Sequence, residues 1–229
     1  MIDIHTHILP LVDDGSFDIN DSLNMLKEQL ALGVTDVFLT PHLRGRFNLD
    51  EHSIKKEFND FCRIVKDNGI NVNLFLGQEI YISPDKPQIQ ELQQIITLNN
   101  SKYVLIEFDF SIYTDIVETV YETSRLGYIP IVCHFERYSY ANIELAKEIR
   151  QNGGLIQINA DSVIGHNKSG KKTTKKLLKL GLVDFVASDM HKGRINFMQQ
   201  ARNLIEKKYG KEFAFDLFYN NAKKIIAKD

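Results

Sequence analysis

Strand-like and helix-like segments alternate along the whole chain, and this alternation restricts the possible fold more than any other feature. Apolar runs typical of strands lie at residues 2–5, 37–40, 72–76, 103–106, 129–133, 155–158 and 183–187. The segments between them carry apolar residues at helical spacing, such as Leu23, Leu26 and Leu30. This alternation predicts parallel strands joined by crossover helices, and seven such units are enough to close a barrel.

Glycines mark the ends of the predicted helices. They are Gly33, Gly69, Gly127, Gly153 and Gly181, each at a position typical of a left-handed helix cap. Residues 195–228 read as two more helices that separate near Gly210. We therefore expect an α/β fold, a distorted TIM-like parallel (βα)7 barrel with an additional C-terminal helix.

Length and charge limit the class of protein. The chain has 229 residues, of which 43% are hydrophobic, so it can bury one large core. Because a single α/β barrel usually has ~250 residues, we expect one domain over residues 1–229. The formal net charge of −2 argues against a protein that binds the nucleic acid backbone.

The sequence also indicates a compartment. No uninterrupted apolar stretch approaches the ~18 residues of a membrane span, and the first residues do not have the pattern of a secretory leader. Cys62 and Cys133 lack the spacing of a disulfide framework, which is typical of a reducing environment. We expect a cytoplasmic protein that is not embedded in the membrane.

Histidine, glutamate or aspartate follows six of the seven predicted strands within about three residues, where a parallel barrel places its chemistry. His5 and His7 are one residue apart, so strand alternation gives them a common face. The sixth strand, which ends near Asn159, lacks such a residue. The candidate metal ligands are His5, His7, His42, Glu79, Glu107, His134, Asp189 and His191.

The types of donor in this set indicate the chemistry. Eight nitrogen and oxygen donors exceed the needs of one ion, so they predict two or three divalent ions in a shared cluster. Imidazole and carboxylate without thiolate suit manganese, iron or zinc. Because clustered ions activate water and stabilise an in-line displacement at phosphorus, the set predicts hydrolysis of a phosphoester by direct attack of water.

Arginines near the predicted strand ends would bind phosphate. Arg137 follows His134 by three residues, and Arg194 follows His191 by the same spacing. A planar guanidinium can bind two phosphate oxygens, although each of these arginines can instead pair with Glu136 or a helix end. Arg44 and Arg46 come soon after His42, and they contact either substrate or solvent.

Other residues near the strand ends have two readings each. Asp14 either orients a ligand histidine or makes a simple turn. The aromatic residues Phe47, Phe110, Tyr113, Tyr138 and Tyr140 either border a pocket for an aromatic ring or pack in the core. The lysines at 168, 171, 172, 175, 176 and 179 either form a solvated helix face or attract an acidic partner or an anionic membrane surface.

Strand alternation turns the side chain of Cys133 away from that of His134, so we do not expect a thiol nucleophile. His52 and His166 lack any strand-end context, and we expect both to be exposed.

The motifs together resemble a known family. They are MIDIHTHILPLVDDG at the start, then TPH, GQEIY, LIEF, HFER, and SDMH followed by Arg194. This set is similar to that of the polymerase-and-histidinol-phosphatase (PHP) superfamily, and within it to the CpsB/CapC-type bacterial tyrosine phosphatases of capsule and exopolysaccharide biosynthesis. The resemblance extends over nearly the whole chain.

The resemblance implies a trinuclear cluster that favours manganese, with iron, zinc, cobalt and magnesium as alternatives. It implies that the eight candidate residues are its ligands, that Arg137 and Arg194 bind phosphate, and that the substrate is phosphotyrosine on a membrane-associated bacterial tyrosine kinase. The alternatives are a histidinol phosphatase or another phosphoesterase of the superfamily, a TatD-like nuclease or amidohydrolase, and a non-catalytic metal-bound module that docks on a kinase.

Overall fold

The computed structural model describes residues 1–44, 47, 49–84, 95–168 and 170–228. Within these residues the chain forms nine strands. They are β1 (Ile2–Thr6), β2 (Asp36–Leu39), β3 (His42–Leu43), β4 (Asn73–Leu76), β5 (Glu79–Ile82), β6 (Tyr103–Phe108), β7 (Ile129–Val132), β8 (Leu155–Asn159) and β9 (Phe185–Ala187).

The strands form one curled, parallel arrangement. Strand order is β1-β2-β4 in one sheet and β3-β5-β6-β7-β8-β9 in the other, and every paired neighbour is parallel. The chain passes from β2 to β3 through Pro41, and from β4 to β5 through Gly77 and Gln78, so the two sheets are continuous.

The last strand returns to the first. Thr6 forms a parallel bridge with Met190, the His7 amide donates to the Met190 carbonyl at 2.9 Å, and the Asp189 amide donates to the His5 carbonyl at 3.0 Å. These contacts bring the end of β9 beside the end of β1. The predicted distorted parallel barrel is therefore confirmed.

The structure adds two short strands to the seven that were predicted. The second predicted strand corresponds to β2 and is followed by β3, and the third corresponds to β4 and is followed by β5. His42 is the first residue of β3, and Glu79 is the first residue of β5. The sequence pattern instead placed both residues in the loops that follow predicted strands. Both short strands keep the parallel register, because His42 pairs with Glu79 and Glu79 pairs with Leu105.

Helices cover the outside of the sheet. They are α1 (Ile19–Ala31), α2 (Glu51–Asp67), α3 (Ile116–Arg125), α4 (Ile143–Gln151), α5 (Ala160–Ile164), α6 (Lys171–Lys179), α7 (Met198–Tyr209), α8 (Lys211–Phe215) and α9 (Asn221–Ala227). Side-chain caps begin four of them, from Asp18, Asp50, Asp115 and Asn142. The five glycines predicted to end helices all have positive φ, which confirms that prediction.

The C-terminal helices close one end of the barrel. Ala222 and Ile225 of α9 belong to the same apolar cluster as Ile2, Tyr103 and Phe185, which begin β1, β6 and β9. This filling blocks the amino-terminal ends of the strands and leaves the carboxyl ends as the open mouth. In the part of the chain that the structure describes, no helix combines the length and apolar character needed to cross a bilayer.

Candidate metal centre

A bulge in β1 directs His5 to the inside of the barrel, beside His7, which follows the strand. Between Asp3 and Thr6, β1 advances three residues while its partner β2 advances two, from Val37 to Leu39. An extra residue of this kind interrupts the alternation of side chains. Ile4 belongs to the apolar cluster that fills the amino-terminal end of the barrel. Because of the bulge, the next residue, His5, also faces inwards, with its Nε2 3.1 Å from His7 Nε2.

Glu79 is at the centre of the site, and its two oxygens meet four imidazoles. Its Oε1 lies 2.8 Å from His134 Nε2 and 3.4 Å from His5 Nε2. Its Oε2 lies 2.8 Å from His42 Nδ1 and 3.1 Å from His7 Nε2. Because Glu79 begins β5, the pairing of that strand with β3 and β6 fixes its position.

The remaining three candidates join the same cluster. Glu107 Oε1 lies 3.7 Å from His134 Nε2, and Asp189 Oδ1 lies 3.7 Å from His7 Nε2 and 3.4 Å from His191 Nδ1. His134 and Asp189 have left-handed φ values of 32° and 51°, which turn the chain sharply where the strands end. All eight candidate ligands therefore lie in one cluster, and seven of them are buried.

The donor atoms fit divalent ions. Within the described residues, four overlapping groups each place their ligand atoms within 4.8 Å of one another. They are His5 with Glu79 and His134, His5 with His7 and Asp189, His42 with Glu79 and Glu107, and His7 with Asp14, His42 and His191. In this described part of the chain, His42 Nδ1 and Glu79 Oε2 are buried and lie 2.8 Å apart, but neither atom has the geometry of a hydrogen bond. Cations would satisfy these lone pairs.

Protonation and metal binding would compete at this cluster. Burial, with the Glu79 charge, raises the pKa of Glu107 to about 8. Burial also lowers the pKa of His191 to about 4, with a further contribution from His7. For Glu79, burial raises the pKa, but the neighbouring His5 and His42 outweigh that effect and hold the pKa well below its usual value. Metal affinity should consequently increase with pH, because ions and protons use the same lone pairs.

Asp13 and Asp14 have different surroundings. Asp13 Oδ2 accepts from His7 Nδ1 at 2.7 Å and from the His42 amide at 3.1 Å. The His7 charge and hydrogen bond outweigh the burial of Asp13 and lower its pKa to about 2. Asp14 is half exposed, and its Oδ1 lies 3.5 Å and 3.6 Å from Nε2 of His42 and His191. The structure therefore places Asp13 where the sequence analysis placed Asp14, and it places Asp14 among possible ligands.

Gln157 and Asn159 on β8 are functional candidates that the sequence analysis missed. Gln157 Oε1 is 3.0 Å from His5 Nδ1 and accepts from the His134 amide at 3.0 Å. Its Nε2 donates to Asn159 Oδ1, while Asn159 Nδ2 donates to Asp189 Oδ2 at 3.0 Å. A signal was present, because two amides interrupt an otherwise apolar strand of sequence LIQIN.

Two predicted arginines converge on Asp189. The Nη1 atoms of Arg137 and Arg194 donate to Asp189 Oδ2 at 2.9 Å and 3.0 Å. The Arg137 guanidinium also lies over the Phe110 ring, 4.6 Å from its centroid. Arg137 pairs with Asp189, whereas the alternative in the sequence analysis paired it with Glu136.

Arg44 lies on another side of the cluster. Its Nη1 is 3.4 Å from Glu107 Oε2, and its guanidinium lies over the Tyr81 ring at 4.5 Å. Nearly half of its side chain is exposed, so it can reach both solvent and the site. Arg46 lies outside the described residues.

Cys133 corrects one expectation. Its Sγ lies 3.2 Å from Glu79 Oε1 and 3.3 Å from His134 Nε2, so it faces the cluster and not the helices. The left-handed turn at His134 brings both side chains to the same side. Burial, together with Glu79, raises the pKa of the Cys133 thiol well above its usual value, which disfavours a thiolate.

The other candidates lie at the surface or pack near the mouth. The rings of Phe47 and Phe110 lie 6.2 Å from His42 and 5.3 Å from His134. Tyr138 is buried, and its hydroxyl donates to the Cys133 carbonyl. The two remaining histidines, His52 and His166, are exposed as predicted, and so are the six lysines between residues 168 and 179.

A parallel barrel with a buried histidine and carboxylate cluster at its mouth is the architecture of the barrel metal hydrolases. A family model described as "Capsular polysaccharide synthesis, CpsB/CapC" matches residues 1–227. This protein belongs to the CpsB/CapC family.

Curated relatives that match nearly the whole length of this chain are tyrosine-protein phosphatases. The tyrosine-protein phosphatase CpsB of Streptococcus pneumoniae is 37% identical over 238 residues, which cover 99% of this chain and 98% of the relative. The tyrosine-protein phosphatase YwqE of Bacillus subtilis is 34% identical over 228 residues, which cover 96% of this chain and 89% of YwqE.

Solved structures match the fold. One, from a study of YwqE and S. pneumoniae CpsB as unique metal-dependent tyrosine phosphatases, matches with a TM-score of 0.90 at 30% identity, covering 100% of this chain and 95% of the other. The histidinol phosphate phosphatase of Lactococcus lactis matches with a TM-score of 0.55 at 16% identity, covering 90% and 93%. At that identity the second match indicates a common fold alone.

Proposed function

We propose that this protein is a metal-dependent protein tyrosine phosphatase that hydrolyses phosphotyrosine in a protein substrate. Relatives that share its full length are tyrosine-protein phosphatases. The cluster supplies the nitrogen and oxygen donors that such a reaction needs.

The arrangement around Glu79 carries this proposal. A carboxylate whose two oxygens each lie near two imidazoles suits a ligand shared between ions. Surface carboxylates or an ordinary buried ion pair would leave fewer imidazoles around one acid. The raised pKa of the Cys133 thiol fits the same view, because it disfavours a cysteine nucleophile.

The proposed ligands are those of the four overlapping groups. They are His5, His7, Asp14, His42, Glu79, Glu107, His134, Asp189 and His191. Divalent ions bound there would activate water and offset the charge of phosphoryl oxygens. Manganese is the ion we propose, with iron, zinc, cobalt and magnesium as alternatives that imidazole and carboxylate donors also accept.

Arg137 and Arg194 would bind the phosphoryl group. Asp189 Oδ2 holds both guanidiniums beside the cluster, while about a quarter of the Arg137 side chain and half of the Arg194 side chain stay exposed. Two guanidiniums can neutralise the phosphoryl charge of about −2 and orient its oxygens. We assign them the role of transition-state stabilisation.

Arg44 would contact the substrate beside the phosphoryl group, since it bridges Glu107 and Tyr81 at the edge of the site. Arg46 is proposed for the same role because it follows two residues later in the sequence. The rings of Phe110 and Tyr140 lie near Arg137 and Asp109, where they could pack against the tyrosine ring.

The proposed setting is the cytoplasm, and the proposed substrate is a membrane-associated tyrosine kinase that controls capsule or exopolysaccharide synthesis. The family description supports the link to capsular polysaccharide. The enzyme would act on this kinase from solution.

Hydrolysis of two substrates tests the proposal. A phosphotyrosine peptide and histidinol phosphate are each incubated with the purified protein, before and after EDTA treatment and after manganese is restored. Bound metal is measured in every sample. We expect hydrolysis of the peptide that EDTA abolishes and manganese restores, because the cluster needs its ions to activate water.

Other outcomes would change the assignment. Preference for histidinol phosphate would keep a metal phosphoesterase and reject the tyrosine phosphatase. No turnover of either substrate by fully metallated protein would favour a docking module. Hydrolysis that persists after the metal is removed would contradict the metal mechanism itself.

A further inference from the structure

Exposed apolar side chains gather around the mouth of the barrel. Among the residues that the structure describes, seven large apolar or aromatic side chains are more than half exposed. Five of the seven lie in loops that follow strands, with exposures between 58% and 72%. These five, which we call the apolar rim, are Leu11, Phe17, Ile112, Tyr113 and Ile195.

The first part of the rim lies in a loop that packs on His7. Leu11 and Phe17 belong to the loop between β1 and α1, and Gly15 of that loop packs so closely on His7 that an added Cβ would lie 2.1 Å from His7 Cβ. The Lys192 amide donates to the Gly15 carbonyl at 2.6 Å and ties this loop to the one that carries Arg194. Ile195 is the next residue after Arg194.

The second part lies in the loop between β6 and α3. The Ile112 amide donates to Asp109 Oδ1 at 2.8 Å, and Asp109 Oδ2 accepts from the Tyr81 hydroxyl. Tyr113 packs edge-on against Tyr140, with ring centroids 5.3 Å apart. These contacts hold two exposed apolar side chains beside Tyr81, over which Arg44 lies.

Leu11 is held in an unfavourable conformation. Its φ of 64° lies in the left-handed region, which leucine seldom adopts, and the loop is closed by a bond from the Leu11 amide to the Ser16 carbonyl. Strain of this kind concentrates at functional sites. Here it accompanies a leucine that is 72% exposed, so the folded protein gains little from burying that side chain.

Scattered apolar residues are normal on protein surfaces and by themselves indicate nothing. The two other side chains that are more than half exposed serve as a comparison for the apolar rim. Leu126 and Leu180 directly follow α3 and α6, helices that run away from the mouth, and their exposures are 57% and 53%. Each of them follows a helix, whereas the five residues of the rim lie in loops that follow strands, at the end of the barrel that carries the cluster.

We propose that the apolar rim binds the polypeptide on either side of the phosphotyrosine, and that it favours apolar residues there. This inference rests on the proposed function. A phosphoryl group bound at Arg137 and Arg194 places the rest of its peptide across these loops, so the substrate itself covers the rim. Contact with apolar side chains would then remove both surfaces from water.

Steady-state kinetics with rim variants tests the proposal. The manganese-loaded protein is compared with Leu11→Ser, Phe17→Ser and Ile112→Ser, using a phosphotyrosine peptide with leucine and phenylalanine on both sides. Leu126→Ser and Leu180→Ser are controls of similar exposure. Each rim variant should raise KM for the peptide roughly tenfold and leave the hydrolysis of phenyl phosphate unchanged. The controls should change neither value.

A second measurement needs no variant. The wild-type protein should hydrolyse the peptide with apolar flanks with a kcat/KM roughly tenfold above that of a peptide with serine flanks. Equal values for the two peptides would overturn the proposal, and so would a preference for acidic flanks.

The remaining outcomes are also decisive. Rim variants that behave like the controls would contradict the proposal. A dimer in sedimentation analysis that the rim variants convert to monomer would assign the rim to contact between two copies of the chain, which also overturns it. Failure to hydrolyse even phenyl phosphate would instead contradict the proposed function.

Discussion

Asp189 uses its two oxygens for different neighbours. Oδ1 faces the imidazoles of His5, His7 and His191, while Oδ2 accepts from Arg137, Arg194 and Asn159. One carboxylate thus connects the donors proposed for metal ions with the guanidiniums proposed for phosphate. The Asp189 side chain therefore fixes how far the proposed metal ligands lie from the two guanidiniums.

Arg137→Ala should impair phosphate binding and leave metal binding intact. We expect kcat for a phosphotyrosine peptide to fall about 10²–10³-fold, because a preorganised donor to the phosphoryl oxygens is lost. Bound metal should not change, since Arg194 and Asn159 still hold Asp189 Oδ2. Arg125→Ala, at a surface arginine of α3 paired with Glu122, is the matched control. Loss of metal in Arg137→Ala would show that Arg137 organises the ligands instead.

Gln157→Leu should weaken metal binding. Leucine has a similar size, but it cannot accept from His5 Nδ1 or from the His134 amide, so both ligands lose the group that orients them. Loss of a group that orients a metal ligand typically lowers metal affinity or activity 10- to 100-fold. We expect a decrease in manganese affinity of about this size, measured by competition with a chelator.

Gln151→Leu on the exposed end of α4 serves as the control for Gln157→Leu. The unfolding midpoint of the metal-free variants separates positioning from simple packing. A decrease in stability with unchanged metal affinity would mean that Gln157 has only a structural role.

At the scale of elements, short interruptions in strands place the ligands. The bulge in β1 turns His5 inwards, and the breaks at Pro41 and at Gly77–Gln78 allow His42 and Glu79 to begin new strands at the mouth. Strand periodicity located all three residues near strand ends. It could not reveal the bulge or the breaks, because these depend on pairing with neighbouring strands and not on local propensity.

The turn after β7 contains a buried acid that lowers stability at neutral pH. Glu136 Oε1 accepts from the Asn159 amide, and Gly170 packs against Glu136 Cγ. Oε2 is buried and has no hydrogen-bond partner among the residues that the structure describes. Burial raises the pKa of Glu136 from 4.5 to about 7. The folded state therefore holds a proton that the unfolded state releases, so stability falls as pH rises from about 4.5 to about 7.

Glu136→Gln should remove this loss. In metal-free protein, urea unfolding at about pH 8 should show the variant more stable by up to about 3 kcal/mol, while at about pH 4 the two proteins should differ little. Glu148→Gln, at an exposed position in the middle of α4, should change stability at neither pH. A variant that is destabilised at both pH values would indicate that the carboxylate makes a favourable contact in its charged form.

At the scale of the whole molecule, the two ends of the barrel have opposite characters. Apolar residues of α9 fill the amino-terminal end, and the carboxyl-terminal end carries the histidines, acids and arginines. The loops at the second end also carry the apolar rim. The amino-terminal end of the barrel thus contributes apolar packing, and the carboxyl-terminal end carries the candidate catalytic groups.

The overall fold followed from the sequence because seven apolar runs and five helix-ending glycines leave few arrangements other than a parallel barrel. The break between helices at Gly210 was also predicted correctly, although the segment after it forms α8 and α9 where one helix was predicted. The pattern could not show that α9 fills the barrel, nor that Asp13, Gln157 and Asn159 surround the ligands. The contacts of Gln157 and Asn159 with His5 and Asp189 join residues far apart in the chain, and that of Asp13 with His7 depends on how the loop after β1 folds.

A manganese titration of the metal-free protein shows whether several ions act together at this cluster. Bound manganese per chain and hydrolysis of a phosphotyrosine peptide are measured together at each addition. We expect activity to remain low until more than one ion is bound, because Glu79 and its imidazoles form a shared cluster. Full activity with a single bound ion, or with none, would show that the ions do not act together.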